Sequence, residues 1–142
     1  MSVGGEKSFV LFPLGSRRFA LPAEKVTELA KPDRLQTFPQ STPLLAGVLV
    51  RRGRIVPVCD VAHSLVGPDA PARKFYLIAK CKLDSRHELT AVPVTGECEL
   101  ASAARAPLTG HEPGYIDGLL VMGDERVEIV ALDRLISTEA PA

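Results

Sequence analysis

The residues with the most evident chemical potential lie in one short segment that contains Asp60, His63 and Ser64. A carboxylate, an imidazole and a hydroxyl are the groups that hydrolases combine for nucleophilic catalysis. However, no Gly-x-Ser-x-Gly sequence is present to raise a serine nucleophile above a strand. The segment therefore supports only an alternative hypothesis, in which the chain is a ligand-binding β-barrel or a small hydrolytic protein.

The same segment is a weak candidate for a metal site. Asp60 and His63 have a spacing that places both on one helical turn, but nothing nearby in the sequence offers the third and fourth ligands that zinc requires. The chain has three widely spaced cysteines and no Cys-x-x-Cys pair, which is typical of buried, reduced thiols. We therefore predict no metal, no cofactor and a structural role for Cys59, Cys81 and Cys98.

A basic turn, residues 51–54 (Arg-Arg-Gly-Arg), lies between two apolar segments. Single-stranded nucleic acid binding needs aromatic side chains among basic ones, yet aromatics are 5% of this chain and its formal net charge is zero. A phosphate loop needs a glycine-rich segment opening a helix, which is also absent from the sequence. We interpret the stretch as a hairpin turn at Gly53, with Arg51 and Arg54 in solvent and Arg52 paired with a carboxylate.

The elements that must position these residues are mostly short β-strands. Apolar segments rich in Val, Ile and Leu alternate with Gly and Pro, which is typical of strands joined by tight turns. Strands are predicted at residues 9–14, 19–21, 47–50, 55–58, 75–81, 89–94, 98–100, 115–121 and 127–132. A helix is expected at 61–66 with Asp60 as N-cap, and a single helical turn at 43–46.

The chain also divides into two halves around the Gly- and Pro-rich residues 67–72. The segment Gly-Val-Leu-Val at 47–50 returns as Gly-Leu-Leu-Val at 118–121, which hints at an internal repeat. Two small closed or nearly closed barrels would explain this pattern, because closure removes exposed strand edges. The N-terminus has neither the basic region nor the long apolar run of a signal peptide, so we expect a cytoplasmic protein without membrane insertion.

One longer segment resembles a known family. Residues 47–60 read Gly-Val-Leu-Val-Arg-Arg-Gly-Arg-Ile-Val-Pro-Val-Cys-Asp, which is similar to the signature of CheW-like chemotaxis coupling proteins. Phe-Ala-Leu-Pro at 19–22 and Val-Thr-Glu-Leu at 26–29 resemble two further elements of that family. The chain departs from the family pattern at Val50, Arg51, Ala62 and Pro93, which bears on the choice of partner.

The resemblance implies a mostly β fold of two five-stranded SH3-like barrels packed around a shared core, with short helices. It places one CheW-like domain at residues 7–138, with a first barrel at about 7–66, a second at about 73–138, possible crossing segments, and flexible termini at 1–6 and 139–142. It also implies no catalysis. Such proteins are adaptors that bind the regulatory domain of a CheA-type histidine kinase and the cytoplasmic helical tip of a methyl-accepting chemoreceptor.

The resemblance also suggests site residues. Glu28 occupies the acidic position of the Val-x-Glu element and is the expected carboxylate partner of Arg52, so Glu28, Arg52 and Gly53 are assigned to the receptor groove. Specific interfaces centre on apolar anchors with polar rims, and we expect the kinase surface to use apolar residues in or beside the matched elements. The candidates are Val26, Leu29, Leu45 and Val48.

Overall fold

The structure is a computed structural model that describes residues 6–31, 45–67, 71–83 and 86–139. The fold is mostly β, as predicted. The strands are β1 (Lys7–Leu14), β2 (Arg17–Pro22), β3 (Val26–Ala30), β4 (Leu45–Arg51), β5 (Arg54–Cys59), β6 (Phe75–Leu83), β7 (Arg86–Val94), β8 (Glu99–Ala103), β9 (Arg105–Ala106), β10 (Ile116–Met122) and β11 (Glu125–Val130). The helices are α1 (Ala62–Val66) and α2 (Leu132–Glu139), and one 3-10 turn, Ala23–Lys25, joins β2 to β3.

Two local predictions differ from the structure. The strand expected at 127–132 ends at Val130, and Leu132 begins α2. The helical turn expected at 43–46 is wrong in its second half, because Leu45 already opens β4, while residues 43 and 44 lie outside the described residues. In both cases a short apolar run fits a strand and a helix equally well, and tertiary pairing decides between them.

The strands form two sheets with the same internal plan. The first has the order β8-β1-β2-β11-β10-β9 and the second the order β3-β6-β7-β5-β4. Each contains one parallel pair, β2 with β11 in the first sheet and β5 with β7 in the second, and the remaining pairs are antiparallel. The second sheet therefore corresponds, strand by strand, to the first five strands of the first sheet.

The sheets do not follow the expected division of the chain at residues 67–72. The first sheet combines the N-terminal hairpin β1–β2 with β8 to β11, whereas the second consists of β3 to β7. The 67–72 segment, of which 68–70 lie outside the described residues, falls between β5 and β6 of a single sheet. The reason is the parallel pairing of β2 with β11, which carries the N-terminus into the C-terminal sheet.

Three apolar clusters account for the packing. One lies within the first sheet and includes Phe9, Leu120 and Ile129, and another lies within the second sheet and includes Leu49 and Val58. The largest cluster draws on both sheets and both helices. Its buried members are Phe12, Leu14, Phe19, Leu21, Cys59, Val61, Ala62, Leu65, Leu77, Ala79, Cys81, Val92, Val94, Ile116, Val130, Leu132, Leu135 and Ile136. Each sheet thus has a core of its own, and the two share a third.

Helix α2 joins the sheets. It follows the last strand of the first sheet and packs against β6 of the second. Leu135 is fully buried in the shared cluster, and Asp133 Oδ1 accepts a hydrogen bond from the backbone N–H of Lys82 at 3.0 Å. The buried face of this helix therefore stabilises the contact between the two sheets.

Candidate functional site

The basic turn between β4 and β5 is a two-residue loop. Arg51 and Arg54 face each other at the strand ends, and the loop consists of Arg52 and Gly53. Both loop residues have positive φ, 53° and 76°, which is the requirement of a type I′ hairpin turn. Gly53 adopts this conformation without strain, whereas Arg52 is the one non-glycine residue with positive φ among the described residues.

The turn makes an ion-pair cluster with Glu28 of β3. Arg51 donates from Nε to Glu28 Oε1 at 3.0 Å, and one of its terminal nitrogens donates to the same oxygen. A terminal nitrogen of Arg52 lies 3.5 Å from Glu28 Oε2. The predicted pairing of Arg52 with Glu28 is therefore present, but Arg51 is the closer partner and its expected exposure to solvent is wrong.

The exchange of roles between the two arginines has a geometric reason. Side chains alternate along β4, so Arg51 follows the buried Leu49 toward the inner face. Arg52 leaves the strand at the turn and points outward. The Arg51 side chain is 33% exposed and that of Arg52 is 84% exposed.

The Glu28–Arg51 contact also helps to shape the second sheet. Within the described residues, β3 and β4 are the two edge strands of that sheet, since each pairs with one neighbour. A hydrogen-bonded side-chain contact between edge strands requires the sheet to curl until its edges approach. This curvature agrees with the buried cluster that the second sheet encloses.

The four candidate kinase-contact residues occupy different environments. Val26 is half-buried and packs against the shared cluster, so at least part of its side chain serves the core. Leu29 on β3 is 40% exposed. Leu45 and Val48 on β4 are half-buried. The structure leaves Leu29 as the most accessible member of the set.

Sequence reasoning missed a more exposed apolar pair on the same hairpin. Val50 and Ile55 lie directly opposite each other on β4 and β5 and are 54% and 73% exposed. The next pair along this face is Val48 with Pro57, both half-buried. The signal was available in the alternation, because the buried residues of β5 occupy the intervening positions.

Asp60 forms an ion pair with Arg73. Arg73 donates to its two carboxylate oxygens at 3.1 and 2.9 Å. Its predicted capping role is reduced to one long bond, 3.4 Å, from the backbone N–H of Ala62, and the N-cap position is taken by Val61. His63 is exposed. The backbone carbonyl of Ser64 accepts a hydrogen bond from the Tyr115 hydroxyl. This geometry lends no support to a hydrolytic cluster.

The cysteines have the properties of structural thiols. Burial raises the pKa of Cys81 to about 12, with a further contribution from the neighbouring Asp133, and raises the pKa of Cys98 to about 11. Both thiols therefore stay protonated at neutral pH. The described part of the chain contains no group of three or more His, Cys, Asp or Glu residues arranged to hold a metal ion.

No helix within the described ranges combines the length and the apolar character needed to cross a membrane.

Comparison with known proteins identifies a family and a similar solved fold. The sequence matches the family model described as CheW-like domain over residues 8–140. None of the curated proteins matches it. Among solved structures, the fold is similar to that of the scaffolding protein TtCheW from Thermoanaerobacter tengcongensis, with a TM-score of 0.77 and 20% sequence identity. That alignment covers 92% of this chain and 88% of the other.

Proposed function

The chain belongs to the CheW-like domain family, the chemotaxis coupling adaptors, and we propose that it couples a chemoreceptor to a CheA-type sensor histidine kinase without catalysing a reaction itself. The observation that carries this proposal is the family match, which extends over residues 8–140. The arrangement of the candidate residues agrees with it. Asp60 is bound by Arg73, and the exposed apolar side chains of the second sheet suit protein contact better than chemistry.

The proposed mechanism is thermodynamic linkage. A protein that binds two partners on separate surfaces lets the conformational state of one bias that of the other. A rigid scaffold transmits such a bias best, and the shared apolar cluster holds the two sheets of this chain together.

We assign Glu28, Arg52 and Gly53 to the groove that receives the helical tip of the receptor. Gly53 supplies the turn geometry, and Glu28 anchors the hairpin through Arg51. Arg52 then presents most of its guanidinium to solvent beside that anchor. A cationic group held at a fixed position is suited to a carboxylate on the receptor.

We assign the kinase surface to the apolar residues Leu29 and Val48, with Leu45 and Val26 at its edges. Leu29 is the most exposed of the four, and Val48 lies on the outward face of β4. Val26 also packs on the shared cluster, so its contribution to binding is inseparable from its contribution to folding.

The test is substitution of each of these four residues by Asp, with folding followed by circular dichroism and binding to the full-length kinase of the same organism measured by calorimetry. Leu29→Asp and Val48→Asp should stay folded and weaken binding about tenfold or more. Val26→Asp should mainly lower stability. Leu108→Asp is the control, since Leu108 is 45% exposed and lies outside the proposed surface. A wild-type chain that fails to bind the kinase would contradict the proposed function.

A further inference from the structure

The N-terminal hairpin β1–β2 contributes more to the core than its length suggests. Six of the twelve largest fully buried side chains of the described residues lie on it, namely Phe9, Leu11, Phe12, Leu14, Phe19 and Leu21. Phe9 and Leu11 fill the cluster of the first sheet, and the other four belong to the shared cluster. A chain that released this hairpin would expose a large apolar surface, and the vacated site would fit a hairpin of the same sequence.

The hairpin makes polar contacts with distant parts of the chain. A terminal nitrogen of Arg17 lies 2.6 Å from Glu128 Oε1 on β11. At the turn, the backbone N–H of Gly15 donates to the Thr95 hydroxyl at 2.9 Å, and the backbone N–H of Thr95 donates to the carbonyl of Pro13 at 3.1 Å. The flanking strands, β8 and β11, also come from the C-terminal part of the chain. None of these contacts requires the hairpin to belong to the same copy of the chain.

One short connector ties the hairpin to the strand that follows it. The 3-10 turn Ala23–Lys25 leads from β2 in the first sheet to β3 in the second. No residue of this turn is buried, and its N-terminus has no side-chain cap. The connector can therefore change its backbone conformation with little loss of packing.

The chain already exchanges hairpins between its two halves, residues 6–67 and 71–139. The hairpin β1–β2 of the first half lies between β8 and β11 of the second half, and the hairpin β6–β7 of the second half lies between β3 and β5 of the first. Each sheet is therefore completed by a hairpin that comes from the other half of the sequence. A domain-swapped dimer has the same arrangement between two chains.

We propose that the β1–β2 hairpin is an exchangeable element and that its partner is a second copy of this chain. In the exchanged dimer, each hairpin leaves its own chain at residues 23–25 and occupies the site between β8 and β11 of the other copy. Every contact of the hairpin is recreated there, so the protein concentration and the connector decide between monomer and dimer. This inference is independent of the proposed function, since neither a receptor nor a kinase takes part.

The test uses two variants of the full chain that exchange brings together. Ser8 on β1 and Ser102 on β8 are exposed and directly opposite each other, near the distance that a disulfide spans. The Ser8→Cys and Ser102→Cys chains are mixed, unfolded in urea, refolded together at about 1 mM and then oxidised. The control is the same two variants refolded separately at about 1 µM and mixed before oxidation. Dimers linked between residues 8 and 102 should be at least about tenfold more abundant after refolding together.

A shortened connector provides a second variant. Removal of residues 23–25 leaves no bridge from β2 in one sheet to β3 in the other, so the hairpin can reach a site only in a second copy. We expect this chain to be a folded dimer by light scattering and circular dichroism even at about 1 µM. Removal of residues 109–111, from the exposed loop between β9 and β10, is the matched control and should leave a monomer.

Each outcome decides the question. Linkage above the control, together with a dimeric shortened chain, supports the inference. Linkage equal to the control overturns it even if the chain dimerises, because such a dimer forms through ordinary surface contact. A shortened chain that folds as a monomer also overturns it, and if that chain fails to fold, the linkage alone decides. The proposed function stands in every case, since the test contains no receptor and no kinase.

Discussion

The hairpins β4–β5 and β10–β11 occupy equivalent places in the two sheets, and they differ in charge at the turn and along the second strand. Each contains a register shift near its start, between Leu45 and Gly47 or between Ile116 and Gly118, and each leads into a helix. The turn of the first contains arginines, whereas that of the second contains Asp124 and is followed by Glu125. One scaffold therefore supports two surfaces of different charge.

The inward positions of the two hairpins are alike, which shows where the fold constrains the sequence. Away from the turn, where Arg51 faces inward, these positions are buried and apolar, and they fill the cluster enclosed by their own sheet. In the second sheet they are Leu49, Val56 and Val58, and in the first Leu120, Val127 and Ile129. The outward positions vary in charge and size, so recognition can change there without cost to the core.

The largest expected effect comes from weakening the apolar contact that joins the two sheets. Leu135→Ala removes a fully buried side chain of the shared cluster and should cost about 2–5 kcal/mol of unfolding free energy. Because that cluster belongs to both sheets, urea denaturation should remain one transition, with amide exchange accelerated in both sheets together. Leu108→Ala, at an exposed position, should stay within about 0.5 kcal/mol of wild type. Exchange accelerated in only one sheet would show that the sheets are independent.

The two sheets also differ in the residue that lies between the last strand of each hairpin and the helix that follows it. Asp60 before α1 is held by Arg73, and the corresponding residue before α2 is Ala131. Arg73→Ala should cost about 1–3 kcal/mol in chemical denaturation, because it leaves a half-buried carboxylate without its partner. Arg134→Ala removes a more exposed ion pair, with Asp117, and should cost less than about 1 kcal/mol. An equal loss of unfolding free energy in the two variants would show that the Asp60–Arg73 ion pair contributes no more to stability than an exposed one.

The two arginines at the basic turn should differ in their effect on stability. Arg51→Ala removes the hydrogen bonds to Glu28 and should cost about 1 kcal/mol in thermal or chemical unfolding. Arg52→Ala removes a longer contact at a mostly exposed side chain and should cost a few tenths, about 0.3 kcal/mol. A larger loss for Arg52→Ala would mean that Arg52 is the true partner of Glu28 in solution.

The smallest expected effect concerns Glu125, which follows the turn between β10 and β11. A hydrogen bond from Arg18 lowers the pKa of Glu125, so the folded state keeps this carboxylate ionised to lower pH than the unfolded chain does. The stabilisation is complete above the unfolded value, about 4.3, and is lost as pH falls through the lower folded value. The melting temperature of Glu125→Gln should therefore differ from wild type most near neutral pH and converge with it only as the pH falls below the lowered pKa of Glu125 in the folded state. A melting-temperature difference that is independent of pH would contradict this linkage.

The mostly β fold, the hairpin strands and the ion pair of Arg52 with Glu28 could be predicted from the sequence. The division of the sheets could not, because the parallel pairing of β2 with β11 joins segments that are far apart along the chain. The dominance of Arg51 over Arg52 was also missed, since it depends on where β4 ends and the positive-φ turn begins. The first residue of α2, Leu132, was assigned to a strand because it extends an apolar run, and the helix after it was not predicted.

The central claim is that this chain joins a receptor to a kinase. The most direct measurement is the amount of full-length kinase that sediments with receptor-bearing vesicles as the chain is titrated in. The account predicts that the chain raises the sedimented fraction of kinase, and that Leu29→Asp reduces this effect by weakening the contact with the kinase. A sedimented fraction that is the same with and without the chain would contradict it.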